Sequence, residues 1–236
     1  MAQHIGIVGC SAPGAALCYE TICMESEALA GENQARPEVS MHTHPFSEYM
    51  RRIKAGDWQA VAELMLSSTE KLAGIGAEFV VAPCNTIHYA FESVVERSPL
   101  PWLHIAEAVA VEANRLGYRR VALLGTKLMM EAPIYPSKFA QAGIERLIPE
   151  ATERGRINHL IFEEMVFGNF TPEARRYCLG VVERLRNQGC DALGLCCTEL
   201  PLLLRGPLLV RGEGVSLPLL DSTRILARAA LRRAVG

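Results

Sequence analysis

One pattern, stated twice, limits what this chain can fold into. Phe79-Val80-Val81-Ala82-Pro83-Cys84-Asn85-Thr86-Ile87-His88 is a short apolar, β-prone run that ends at a proline and a cysteine, then two small polar residues and a histidine. Ala192-Leu193-Gly194-Leu195-Cys196-Cys197-Thr198-Glu199-Leu200 repeats the idea, with Pro201 following. The surroundings repeat as well. Gly9 and Gly125 each close an apolar run, and Cys84 and Cys197 follow them by 75 and 72 residues. Proline-led apolar segments begin at Pro101 and Pro218, 17 and 21 residues beyond the two cysteines. An internal repeat of this length implies two related halves.

Within each half, strand-like and helix-like stretches alternate. Strands are expected at 5–8, 38–42, up to Cys84, at 102–105, from 119, at 144–148, up to Cys197, and at 217–221. Helices are expected at 15–29, 47–54, 58–72, 86–96, 106–116, 157–167, 171–187 and after Asp221. Asp57 is placed to cap the third of these, and Gly168 to end the sixth. Thr171-Pro172-Glu173 is a helix start, a threonine cap before a proline in the first position. Such alternation predicts a parallel α/β sheet. Ligands of open parallel sheets bind at the carboxyl ends of strands. Both motif cysteines fall there, so a cleft between the halves is the expected site.

Composition removes several function classes. With 236 residues, half of them hydrophobic, the chain can bury a full core. Its 24 basic and 26 acidic residues are scattered, and the pairs Arg119-Arg120 and Arg232-Arg233 read as solvated surface charge. Nothing marks a nucleic-acid surface or a membrane span. The first residues carry no basic, cleavable leader, so a cytoplasmic location is expected. The spacing of Gly6, Gly9 and Gly14 does not match a dinucleotide fingerprint. No cysteine spacing has the paired form of a zinc site, and a disulfide framework is not needed. Cys18, Cys23, Cys178 and Cys190 read as small buried hydrophobes.

Cys84 and Cys197 suit a particular chemistry. A thiolate near a helix start is stabilised by unpaired N–H groups. Two thiols on opposite faces of a stereocentre permit one to remove an α-proton and the other to return a proton from the far side. Asn85, Thr86 and Thr198 are placed to hold the substrate carboxylate. His88, four residues after Cys84, lies about a helical turn away and is a candidate to orient the site.

These residues resemble the aspartate/glutamate racemase family of the Asp/Glu/hydantoin racemase superfamily. Cys84-Asn85-Thr86-Ile87-His88 matches its C-N-T-x-H signature, and Cys197-Thr198-Glu199-Leu200 its G-C-T-E signature. Residues 148–150, 153–158 and 161–164 look like the family's second-domain helix region. The resemblance implies two pseudo-symmetric α/β domains, residues 1–113 with 215–236 and residues 114–214, and a site in the cleft between them. It implies an isomerase that needs no cofactor, pyridoxal phosphate included, and no metal. The implied substrate is a free amino acid, aspartate, glutamate or a related one, and a homodimer is expected. Cys84 and Cys197 become the acid/base pair, with Asn85, Thr86 and Thr198 on the carboxylate and Ser11 on the first closing loop. Arg156 stands where the family often faces a distal carboxylate, and Glu199 braces its loop.

The chain departs from the pattern in three places. Gly9-Cys10-Ser11-Ala12-Pro13-Gly14 replaces a Gly-Gly-Met-type loop, and Cys196 replaces the glycine beside Cys197. His42-Thr43-His44-Pro45 stands where relatives acting on acidic substrates carry an arginine. His42 and His44, alternate residues of one strand, are candidates to line the side-chain pocket. Hydantoin racemase, maleate isomerase or arylmalonate decarboxylase chemistry is the alternative within the superfamily, and a small-ligand sensor is the alternative outside catalysis.

Overall fold

The computed structural model describes residues 2–29, 36–204 and 217–236. The chain forms two compact units, residues 1–108 with 223–236, and residues 109–222.

In the first unit, β1 (Ile5–Gly9), β2 (Val39–Thr43), β3 (Phe79–Val81) and β4 (Trp102–Leu103) form one sheet in the order β2-β1-β3-β4. Every pairing is parallel. Alternate residues of the central strands serve opposite faces. Ile5, Ile7, Phe79 and Val81 pack with Cys18 and Ile22 of α1 (Ala12–Leu29), Ile105 of α5 (Ile105–Arg115) and Leu226, Ala227 and Ala230 of α11 (Ser222–Val235). Val8, Val80 and Ala82 pack with Tyr49 of α2 (Phe46–Ala55) and Val61, Met65 and Leu72 of α3 (Trp58–Gly74). A strand covered on both faces must be apolar throughout, which is why these runs show no polar alternation. Asp57 caps α3 by accepting from the Ala60 N–H, as expected.

The second unit repeats the topology. Strands β5 (Arg120–Leu124), β6 (Glu145–Leu147), β7 (Ala192–Leu195) and β8 (Leu219–Asp221) lie in the order β6-β5-β7-β8, again all parallel. Ala122, Leu124, Leu193 and Leu195 meet Ile157, Leu160 and Ile161 of α8 (Ala151–Glu163) and Cys178, Val181, Val182 and Leu185 of α9 (Pro172–Asn187). Shorter helices α6 (Lys127–Glu131), α7 (Pro136–Gln141) and α10 (Leu200–Leu203) complete it. Two four-stranded parallel sheets with flanking helices bear out the expected fold class.

Three local expectations need correcting. Helix α8 begins at Ala151, six residues before the expected start, because Glu150 and Glu153 form a reciprocal capping box. The expected helix after Cys84 is a 3₁₀ turn, Thr86–Ala90, followed by the short α4 (Phe91–Val95). Arg120 is a partnered surface charge and not a purely solvated one. Its backbone N–H reaches the Asp191 carboxylate and its guanidinium bonds Glu145 and the Gln188 carbonyl. The Thr171 cap is as expected, accepting from Ala174 N–H. The expected return to the first half at residue 215 lies outside the described residues. Strand β8 belongs to the second sheet, and the first unit resumes at Thr223. None of the eight cysteines is in a disulfide. No described helix is long and apolar enough to cross a membrane.

Candidate active site

Cys84 follows β3 after Ala82 and Pro83, at the carboxyl end of the first sheet. Cys84 and Thr86 are half-buried, and Asn85 between them is buried at the mouth of the 3₁₀ turn. Cys84 lies against the apolar cluster that holds Val8, Cys10, Tyr49 and Ala82. Ser11, half-buried, follows β1, and its carbonyl accepts the Ala15 N–H at the start of α1.

His88 is positioned by both ring nitrogens. Nε2 accepts the Ile105 N–H at 3.3 Å, so it carries the lone pair. Nδ1 therefore carries the proton and donates to the Cys84 carbonyl at 2.9 Å. That bond explains the 3₁₀ turn. The Cys84 carbonyl is the acceptor an α-helical His88 N–H would use, and that N–H bonds the Asn85 carbonyl instead. Burial among Phe91 and His104 pushes the His88 pKa down to about 4. His88 is a neutral brace that ties the cysteine loop to the start of α5, and neither nitrogen is available as a base.

His42 and His44 do lie together, their rings edge to face at 4.9 Å. They differ in their partners. The Lys71 ammonium can only donate, so His42 Nε2 accepts from it at 3.0 Å and Nδ1–H donates to Ser68 Oγ at 2.9 Å. His44 Nε2 is buried with no hydrogen-bond partner among the described residues. Burial and the nearby Lys71 hold both imidazoles below the ordinary histidine range. The sequence carries no signal for Ser68 and Lys71 beyond their (i, i+3) spacing on one helix face.

In the second unit, Cys197 follows β7 and is half-buried. Its thiol donates to Glu199 Oε2 at 2.9 Å, and the Thr198 hydroxyl donates to the same oxygen at 2.8 Å. Both Thr198 and Glu199 are buried. Glu199 is therefore more than a loop brace, because its carboxylate accepts from both the Cys197 thiol and the Thr198 hydroxyl. Cys196 has different surroundings: it is buried beside the Tyr135 hydroxyl, and burial pushes its pKa up to about 12. Tyr135 is not visible in the sequence, since a lone tyrosine before a short helix has no signature. Arg156 is exposed on α8, where its charge acts on Tyr177 of α9.

The two central glycines sit where a side chain has no room. A Cβ at Gly125 would lie 2.9 Å from the Cys196 carbonyl oxygen, and one at Gly9 would overlap the Thr43 side chain of β2. The strand ends approach so closely that only glycine is accommodated.

The family profile for Asp/Glu/Hydantoin racemase matches residues 6–230. The chain belongs to this family. The broad specificity amino-acid racemase RacX of Bacillus subtilis is 23% identical over 195 residues, covering 83% of this chain and 81% of its own. A glutamate racemase of Parafrankia is 30% identical over 187 residues, 73% of this chain and 64% of its own. The chain thus spans under two thirds of the curated glutamate racemases it matches. A structure solved as a candidate Asp/Glu racemase of Yersinia pestis is 30% identical, with a TM-score of 0.86 over 99% of this chain and all of that one. An aspartate racemase homologue from Pyrococcus horikoshii is 28% identical, with a TM-score of 0.81 over 99% and 100%. For this member of the Asp/Glu/Hydantoin racemase family, both cysteine motifs lie inside the matched segment.

Proposed function

We propose that this chain is an amino-acid racemase that works by two-base proton transfer between Cys84 and Cys197. The observation that carries the reading is the equivalence of the two thiols. Each is half-buried and follows the third strand in its sheet's order, β3 in β2-β1-β3-β4 and β7 in β6-β5-β7-β8. Family membership supports it, because RacX and the glutamate racemases are named for this reaction class.

In the proposed reaction, a thiolate at Cys84 takes the α-proton. The C–H bonding pair passes into the α-carboxylate as an enediolate. The Cys197 thiol gives its proton to the opposite face of the α-carbon. The product has inverted configuration, and the two sulfurs have exchanged protonation states, so the reverse reaction starts from the other thiolate. The hydrogen bond to Glu199 keeps Cys197 ready as the donor. Asn85, Thr86 and Thr198 hold the carboxylate, with Ser11 on the neighbouring loop, and pre-placed donors of this kind stabilise the charge that develops there. Neither thiol needs a cofactor for this step.

Single enantiomers in D₂O test the reading. The wild-type chain should exchange the α-proton and lose optical rotation together. Cys84→Ala and Cys197→Ala should each lower racemisation by at least about 100-fold, the scale of a lost acid/base group. Normal racemisation by both variants would sink the two-base assignment.

A further inference from the structure

We propose that Tyr135 is a positioning residue for the Cys197 thiol, and that it acts through a buried hydrogen-bond chain with Cys196 and Ser222 that fixes the end of β7. The proposal rests on the two-thiol racemase reading and deepens it.

The three residues meet within the second unit. Leu195 pairs with Asp221, so one step further on Cys196 and Ser222 lie side by side at the carboxyl ends of β7 and β8. Tyr135 arrives from elsewhere in the chain, as the residue before α7. Its ring packs edge to face on Phe139, with centroids 5.2 Å apart. Its hydroxyl is hydrogen-bonded to both Cys196 and Ser222. Tyr135 is fully buried, and Cys196 and Ser222 are 2% and 1% exposed.

Counting protons gives the chain a direction. A main-chain carbonyl can only accept, so Ser222 Oγ donates its one proton to the Leu195 carbonyl at 2.9 Å. Ser222 Oγ therefore accepts from Tyr135. Tyr135 also has one proton, and having given it to Ser222 it accepts from the Cys196 thiol. The order is Cys196 S–H to Tyr135 O–H to Ser222 O–H to the Leu195 carbonyl. Cys196 must be protonated for this, and its burial keeps it so. Bonds that run one way along a chain strengthen one another. A glycine at position 196 would remove the first donor.

The chain starts and ends on neighbouring residues of one strand, so it closes around the Leu195–Cys196 peptide. The Cys196 backbone is held too. Its N–H donates to the Leu124 carbonyl at 2.8 Å, and its own carbonyl lies against Gly125. Cys197 is the next residue. Holding residue 196 by backbone and side chain sets the direction in which the chain enters Cys197, and with it the bond that carries the thiol. Proton transfer needs that aim, since a misplacement of about 1 Å can cost roughly 100-fold. Cys84 belongs to the other unit, so loosening the chain falls on one thiol of the pair.

The test uses the full chain in D₂O and a panel of the common amino acids, starting from each pure enantiomer. Loss of the α-proton is followed by NMR and inversion by polarimetry. Tyr135→Phe keeps the ring and loses the hydroxyl. The enantiomer that presents its α-proton to Cys84 should still exchange within about twofold of wild type, while its inversion falls about tenfold. In that case the Cys84 thiol, once exchanged with solvent, returns deuterium to the face it deprotonated. The other enantiomer must first lose its proton to Cys197, so its exchange and inversion should fall together. Cys197→Ala identifies the two enantiomers by the same one-sided exchange, and Cys84→Ala should show the reverse. Cys196→Ala should share the Tyr135→Phe pattern, and Cys196→Ser, which keeps a donor, should recover part of the inversion. Circular dichroism melts check folding, and the Cys196 pair carries the test if Tyr135→Phe does not fold. Unchanged rates, or exchange and inversion falling in step for both enantiomers, would overturn the positioning role and leave the racemase reading standing. Absence of one-sided exchange in both Cys84→Ala and Cys197→Ala, or no exchange with any amino acid, would overturn the two-base reading and this proposal with it.

Discussion

At the residue scale, the two motif cysteines differ in what their neighbours do to them. Cys197 donates its proton toward Glu199, so replacing that carboxylate by a neutral amide should free the thiol. Glu199→Gln is expected to speed alkylation of Cys197 by iodoacetamide several-fold at pH 7.5, with Cys84 unchanged as the internal reference, read by mass spectrometry of each peptide. His88 carries a different consequence. Its folded pKa, about 4, lies below the ordinary 6.5, because burial disfavours the imidazolium. The unfolded chain therefore binds the proton more tightly between these values, and stability falls as pH drops from about 6.5 to about 4. The loss from His88 alone is on the order of 3 kcal/mol, since each tenfold difference in proton affinity between the two states is worth about 1.4 kcal/mol. Urea melts at pH 7, 5.5 and 4.5 should show this slope. In His88→Asn the slope should flatten, although the variant is less stable at pH 7. A slope that persists unchanged would show that other groups carry the acid sensitivity. The sequence points to His88 through its spacing from Cys84, but its tautomer depends on Ile105, seventeen residues away.

At the element scale, short-range signals are readable and reciprocal ones are not. Asp57 and Thr171-Pro172 mark helix starts because a cap and its donor sit within three residues. Thr171→Ala should cost about 1 kcal/mol in chemical unfolding by leaving the Ala174 N–H without its cap. The start of α8 precedes the apolar pattern that announces the helix. A glutamate in the cap position is an uncommon choice, recognisable only once Glu153 is seen reaching back. The turn after Cys84 has a composition that suits an α-helix. A side chain, His88, competes for the carbonyl that helix would need, and local propensity does not register that competition.

At the scale of the whole molecule, the repeat is legible and its closure is partly so. Identical strand orders in the two sheets follow from the repeated run–glycine and run–cysteine pattern. The last helix, however, packs on the first sheet, where Leu226 is fully buried against a cluster that includes Ile5, Phe79 and Ile105. Leu226→Ala should therefore destabilise the first unit by about 2–5 kcal/mol. Hydrogen exchange should report the loss at β1 and β3 before it reports any at β5 and β7. By itself the sequence determined the fold class and the paired cysteine motifs, because each follows from hydrophobic period and residue order along the chain. Only the tertiary structure decided what the histidines do, that Glu199 accepts from the Cys197 thiol and that His44 keeps an unpaired nitrogen. Those properties depend on burial and on hydrogen-bond partners, and residues far apart in the chain supply several of them: Lys71 to His42, Ile105 to His88, Tyr135 to Cys196.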